Sequence, residues 1–192
     1  MYDNFHFQKD WIMRQLTTFK FNITRIMVPL AFAVCALASP TTLTDDNILG
    51  IYLQVNSFDI ETALAGQAHG DSEAVRKVAS HVTADHLAVR QQAYELAAQC
   101  KVPIVLPADR STAAAEHSKM MTHLLSLSGA AFDKAYAEHE VSFHRAAIDA
   151  VRNVLLPAAT CQPLKTHLNE VLPAFQHHLE EAEALKRTLD SR

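Results

Sequence analysis

Apolar residues recur every three or four positions along four long segments of this chain, and glycines or prolines separate the segments. This spacing is typical of amphipathic helices, each with one apolar face. The long segments span about residues 48–68, 71–100, 130–155 and 163–188, and a shorter segment spans 111–127. Because no segment alternates with the two-residue period of a strand, the sequence predicts an all-α fold.

Residues that commonly begin or end helices stand at the boundaries of these segments. Gly70 ends the first segment, and Asp71 or Ser72 is suited to cap the second. Pro163 stands at the first turn of the fourth segment, where a missing N–H is tolerated. We predict that this fourth helix runs unbroken to about Thr188.

The short segment between the second and third long helices leaves two arrangements open. If it carries the chain back along the bundle, helices two and three run parallel, as in ferritin-like four-helix bundles with a crossover helix. Otherwise the bundle is a plain up-down-up-down arrangement. Cys100 ends the second helix and Cys161 follows the third, so a crossover brings both cysteines to one end. A disulfide there requires a Cα separation below about 7 Å, and two separate buried thiols are the alternative.

The first 38 residues differ in character from the rest of the chain. Four basic residues precede an apolar run from Ile26 to Leu37, and the small residue Ala38 follows it. This order is typical of a secretory signal peptide, and the run is well short of the roughly 20 residues that span a membrane. We therefore predict an exported protein of the periplasm or cell envelope, without a transmembrane span in the mature chain. The predicted division is a signal peptide at 1–38, a short segment at 39–45 and one ferritin-like helical domain at 46–190.

Composition and motifs exclude several classes of function. The net charge is −4, and Lys and Arg are scattered rather than gathered in a stripe, which disfavours nucleic-acid binding. The chain has no Gly-rich phosphate loop, no nucleophile elbow and no Cys-x-x-Cys pair. The sequence therefore identifies no catalytic residue and favours a protein that is not an enzyme.

Three histidines occupy positions on the apolar faces where hydrophobic residues are expected. These are His86, His144 and His178, and each continues a series of apolar residues at helical spacing. At about 1.5 Å per residue, each lies roughly 16–22 Å from an end of its helix, so the three can share one layer with Asp59 of the first helix. Three imidazoles and a carboxylate suit Zn, Cu, Fe or Ni. The alternative is a polar layer in which each histidine has its own hydrogen-bond partner.

Carboxylates near these histidines bear on whether the histidines bind a metal and on which kind of metal site they form. We expect Asp85, beside His86, and Glu140, one turn before His144, to accept hydrogen bonds from the imidazoles. No Glu is followed three residues later by His, although di-iron bundles use Glu-x-x-His pairs, so a ferritin-type di-iron site is disfavoured. The other histidines lie mostly off the apolar faces and are expected on solvated surfaces: His81, His117, His123, His139, His167 and His177.

Three motifs carry a resemblance to a known family. They are the segment from Val75 to His86, which ends in Asp-His, the Ser-Gly-x-x-Phe-Asp-x-x-Tyr motif from Ser128 to Tyr136, and the Leu-Pro-x-x-x-x-His motif from Leu172 to His178. Over about residues 46–185 the chain resembles the bacterial "domain of unknown function 4142" family. Its members are exported ferritin-like helical proteins, often labelled outer membrane proteins.

The resemblance implies a ferritin-like four-helix bundle with a shorter crossover helix between helices two and three. It places the family's recurrent histidines at His86, His144 and His178, with a further one at His117 in the crossover. The usual glutamate of helix one corresponds to Asp59. Helix three of the family usually reads Asp-His, whereas this chain has Phe143-His144, so one carboxylate is missing from the layer.

We therefore expect an exported bundle of uncharacterised role with a transition-metal site at mid-bundle, formed by Asp59, His86, His144 and His178. The alternative is a non-catalytic structural or interaction bundle whose exposed faces bind another envelope protein. An enzyme that uses the polar layer for redox chemistry is a third option.

Overall fold

The protein is all-helical over residues 43–191, the part of the chain that a computed structural model describes. The predicted signal peptide lies outside the described residues. No β-strand occurs between residues 43 and 191, which confirms the predicted all-α class. The helices are α1 (Asp45–His69), α2 (Glu73–Cys100), α3 (Ser111–Leu125), α4 (Gly129–Ala150), α5 (Gln162–Glu170) and α6 (Leu172–Asp190).

A tight turn joins α1 and α2 into an antiparallel hairpin. Ser72 caps α2, because its side-chain oxygen accepts a hydrogen bond from the N–H of Val75. Asp133, near the start of α4, accepts the N–H groups of Asp71 and Ser72, at 2.8 Å each. The start of α4 is therefore anchored at this turn.

α3 lies beside α1 and runs in the same direction. Immediately before α3, Arg110 donates a hydrogen bond to Gln54 of α1. Further along both helices, His117 contacts Glu61 at 2.9 Å. Because the contacts advance in the same order on both helices, α3 leads the chain toward the end where α4 begins, and α2 and α4 point the same way.

The start of α1, the end of α2 and the chain before α5 meet at one end of the molecule. A disulfide joins Cys100 to Cys161 there, with the Cα atoms 5.8 Å apart. The carboxylate of Asp45 accepts hydrogen bonds from the N–H groups of Thr160 and Cys161, at 2.8 and 2.9 Å. Three segments distant in sequence are thus tied together at this end.

The predicted fourth long helix is two helices that meet at Val171. Pro173 has no N–H to donate to the carbonyl of Asn169, so the hydrogen-bond ladder of a continuous helix is interrupted. The prediction of one unbroken helix is therefore wrong. The third long helix also changes character, because α4 continues through a π-helical segment, Val151–Leu155, and a short turn, Leu156–Ala158.

Two apolar clusters fill the ends of the molecule and leave a polar layer between them. On α1, Tyr52 belongs to the cluster near the disulfide and Ala65 to the cluster near the α1–α2 turn, with Asp59 between them. His86 on α2 and His144 on α4 lie between the same two clusters. No helix within residues 43–191 combines the length and apolar character needed to cross a membrane.

Candidate metal centre

Asp59 is the buried carboxylate at the centre of the polar layer. Its side chain is fully buried, and neither oxygen has a hydrogen bond within the described part of the chain. Nε2 of His86 lies 3.0 Å from Oδ2 of Asp59, and Nε2 of His144 lies 3.4 Å from the same oxygen. Both contacts lack hydrogen-bond geometry. Burial raises the pKa of Asp59, whereas His86 and His144, when they are protonated, lower it by more, so the three groups titrate together.

Asn56 fixes the orientation of His86. The side-chain amide of Asn56 donates to the carbonyl of Tyr52 at 2.7 Å, so its Oδ1 is the atom that faces Nδ1 of His86, at 2.9 Å. Nδ1 therefore carries a proton and donates it to Asn56. In neutral His86, Nε2 then presents a lone pair to Asp59.

His144 is oriented in the same way by its own helix. Its Nδ1 donates to the backbone carbonyl of Glu140, one turn earlier, at 3.1 Å. Burial lowers the pKa of His144 to about 4, with His86 and His178 adding to the effect and Asp59 opposing it. His144 is therefore neutral at pH 7, and its Nε2 also presents a lone pair to Asp59.

Together, Asp59, His86 and His144 can hold a metal ion. Each offers one ligand atom, and these atoms all lie within 4.8 Å of one another. Adjacent ligand atoms about 2.0–2.2 Å from a metal ion are about 2.8–3.6 Å apart in octahedral or tetrahedral shells. The separations of 3.0 and 3.4 Å fall in this range. Two nitrogen lone pairs and a carboxylate that face one another require a cation between them, and a metal ion or a proton on Nε2 supplies it.

His178 lies beside this group but is not one of its three members. Its ring centroid is 5.5 Å from that of His86 and 5.4 Å from that of His144. Its Nε2 lies 3.2 Å from Oδ2 of Asp85, and its Nδ1 lies 3.7 Å from Oε2 of Glu181. The structure thus brings together three of the four predicted ligands and places the nitrogens of the fourth next to carboxylates at the surface.

The carboxylate predicted to support His86 is elsewhere. Asp85 contacts His178, and its side chain is 60% exposed, so its expected hydrogen bond to His86 is wrong. Asn56 fills that role, which was not predicted from the sequence. The position of Asn56 could have indicated this contact, because Asn56 precedes Asp59 by three residues and so lies on the same face of α1.

Glu140 adds a second buried carboxyl group near His144. Its side chain is fully buried, and its Oε2 lies 3.6 Å from Nδ1 of His144. Burial raises the pKa of Glu140 well above its usual value, nearby Asp59 raises it further, and Tyr136 opposes the rise. The two buried carboxyl groups therefore disfavour each other's ionisation in the absence of a cation.

Three of the remaining histidines are buried, contrary to the expectation that they lie on solvated surfaces. His117 stacks on Phe58 and contacts Glu61, and His167 shares a hydrogen bond of 2.9 Å with the hydroxyl of Tyr52. Several helices contact more than one neighbour, so residues off the main apolar face are also covered. Of the six histidines expected on solvated surfaces, His117, His139 and His167 are buried, and His81, His123 and His177 are exposed.

A small cavity adjoins the group at His86. Its volume is about 40 Å³, and its lining is mainly apolar, with Asn56, Phe143 and Phe175 among the contributing residues. A volume of this size accommodates a water molecule or another very small ligand. The space next to His86 is therefore not completely filled by side chains.

The chain is thus an all-helical protein with a buried group of one aspartate and two histidines. The family model described as "Domain of unknown function (DUF4142)" matches residues 33–185, and the chain belongs to this family. The predicted resemblance is thereby confirmed. No curated protein and no solved structure matches the chain.

Proposed function

We propose that this protein is an exported, ferritin-like four-helix bundle of the cell envelope that binds a divalent transition-metal ion through Asp59, His86 and His144. One observation carries the metal proposal. Both histidines have Nδ1 fixed by a hydrogen bond, while both Nε2 atoms lie within 3.4 Å of a buried carboxylate oxygen without a hydrogen bond.

The donor set determines which ions fit. Two imidazole nitrogens and one carboxylate oxygen suit Zn, Cu or Fe better than Mg or Ca. Asn56 and Glu140 act as the outer hydrogen-bond partners that keep the two imidazoles in the ligating tautomer. A water molecule, or His178 after rotation of its ring, would supply a further ligand.

The helix contacts support a ferritin-like bundle. In this proposal α1, α2 and α4 form three of its members, and α5 with α6 forms the fourth. α3 is the crossover, which agrees with its direction along α1 and with the position of both cysteines at one end.

The leader and the disulfide support export. Positive charge, an apolar run and a terminal Ala38 are typical of a signal peptide, and disulfides persist in oxidising compartments. N-terminal sequencing of the protein from the periplasmic fraction should begin at Ser39. An intact leader on the recovered protein would contradict export by cleavage.

Titration of the metal-free protein with Zn²⁺ tests the proposed site. We expect binding of about one ion per chain, weakened more than about 100-fold in Asp59→Asn. The matched control is Asp109→Asn, which changes an exposed aspartate outside the layer. Circular dichroism establishes that each variant remains helical. Equal affinity in wild type and Asp59→Asn, or no binding by wild type, would refute the proposed site.

A structural or interaction bundle is the alternative that such a failure would favour. It requires an apolar docking surface. Large exposed apolar residues are distributed over α1, α2, the chain between α2 and α3, and α3: Leu64, Leu87, Tyr94, Val105, Leu106 and Leu125.

A further inference from the structure

Histidines and carboxylates also meet at the surface where α2 and α6 pack together. Oε1 of Glu181 lies 3.4 Å from Nδ1 of His81 and 3.8 Å from Nε2 of His177. The side chains of His81 and His177 are 50% and 67% exposed, and that of Glu181 is 24% exposed. We call these three residues the surface cluster. Both imidazoles therefore lie within 4 Å of the same carboxylate oxygen.

Charge at the surface cluster favours a cation. The ion-pair partners of Glu181 in the described chain are His81, His177 and His178, and Asp85 pairs with His178. Neither carboxylate has a Lys or Arg partner there. Two carboxylates that face only imidazoles attract a cation, which would replace the protons on the imidazole nitrogens facing them.

His178 connects the surface cluster to the buried group. Its Nδ1 is 3.7 Å from Glu181, and its ring centroid is 5.5 Å from that of His86. Neither nitrogen has a hydrogen bond among the described residues, whereas Nδ1 of His86 and of His144 is fixed by one. Hydrogen bonds therefore fix the His178 ring less than they fix the rings of the two buried ligands.

A buried metal site needs an entry path. Asp59, His86 and His144 are at most 2% exposed, and apolar clusters lie on both sides of their layer. A hydrated ion does not cross such a core without ligands to replace its water. The histidines and carboxylates from His81 to Asp59 supply ligands at intervals of a few ångströms.

We propose that His81, His177 and Glu181 capture a divalent transition-metal ion from solvent, and that His178 with Asp85 transfers it to Asp59, His86 and His144. The transfer is an exchange of ligands, in which each bond to the ion breaks as the next forms and no electron moves. This inference rests on the proposed function of the buried group.

Co²⁺ uptake by the metal-free full chain tests the entry path. The double variant His81→Ala/His177→Ala removes two exposed ligands, and circular dichroism establishes that it remains helical. Stopped-flow absorbance should show uptake slowed at least about tenfold, with the final affinity of the buried group unchanged within about twofold. Equilibrium titration should also lose a second, weaker equivalent of Co²⁺. The matched control is His123→Ala, which removes an exposed histidine of α3.

The possible results separate the two proposals. Tight Co²⁺ binding with equal uptake rates in wild type and the double variant overturns the entry path and leaves the proposed function intact. Loss of buried-site affinity in the double variant also overturns it, because these residues would then hold the ion at equilibrium. Absence of tight binding in wild type overturns the proposed function and the transfer together.

Discussion

At the residue scale, the position of one proton on each imidazole determines what the buried group can do. Hydrogen bonds to Asn56 and to the Glu140 carbonyl hold that proton on Nδ1 of His86 and His144. The opposite tautomers would donate to Asp59 and form a satisfied polar layer. The partners of Nδ1 therefore leave Nε2 of both histidines facing Asp59, where it binds either a metal ion or a proton.

Asn56→Leu tests this role of the outer hydrogen bond. Leucine preserves the side-chain volume but removes the acceptor for Nδ1 of His86, so the ligating tautomer is no longer enforced. We expect Zn²⁺ affinity to fall about 10–100-fold in competition titrations with a chelator. Asn153→Leu, at an exposed position on the π-helical segment, should bind as wild type does. Wild-type affinity in Asn56→Leu would show that the tautomer is not controlled by Asn56.

Sequence patterns anticipated the meeting of Asp59, His86 and His144 but not the details around them. Helical spacing and height bring side chains to one layer, because both follow from the regular geometry of the backbone. Spacing does not specify a side-chain rotamer, and so it could not predict that His178 contacts Asp85. For the same reason, helical spacing did not predict that Asn56 contacts His86.

At the element scale, one close approach of backbone to backbone positions α1. A Cβ atom on Gly50 would lie 2.3 Å from the carbonyl oxygen of Val105, in the chain between α2 and α3. Val105 in turn donates its N–H to the carbonyl of Asp46 at 3.1 Å. Glycine at position 50 allows this segment to lie directly against α1.

Gly50→Ala should therefore destabilise the protein, although alanine normally stabilises a helix relative to glycine. We expect the free energy of unfolding to fall by about 1–3 kcal/mol, because the segment at Val105 must move away from α1. Urea unfolding followed by circular dichroism measures the change. Ser80→Ala, at an exposed position of α2, should not lower stability. An unchanged or more stable Gly50→Ala protein would contradict the close approach.

The helix boundaries show which helix ends can be predicted from the sequence. Caps and glycines identified the α1–α2 turn, since Ser72 and Gly70 act locally. The break between α5 and α6 was missed even though Pro173 carries the reason for it. Apolar residues continue at helical spacing across the break, at Leu168, Val171 and Phe175, and this continuity masked it.

At the scale of the whole molecule, the sequence predicted the helical class but left the direction of α3 open. Either direction buries the same apolar faces, so periodicity cannot choose between them. Individual tertiary contacts provide the answer, such as Arg110 with Gln54 and His117 with Glu61. Such contacts depend on how two surfaces fit and are not encoded in spacing.

The disulfide is the covalent link between distant parts of this fold. Cys100 and Cys161 are 61 residues apart, so their bond restricts a long loop of the unfolded chain. Reduction should lower the free energy of unfolding by about 2–4 kcal/mol, as measured by urea unfolding with and without reductant. Cys161→Ser should respond little to the reductant. Two titratable thiols from Cys100 and Cys161 in the oxidised protein would show that the bond does not form.

Metal content tests most directly whether Asp59, His86 and His144 form a metal centre. Mass spectrometry of elements in the protein, purified without chelator, should find about one transition-metal ion per chain. Content should fall to near zero in His144→Ala and remain at the wild-type level in His123→Ala, with both variants shown to be helical by circular dichroism. A metal-free wild type that also binds no added ion, or equal metal content in wild type and His144→Ala, would contradict the metal centre.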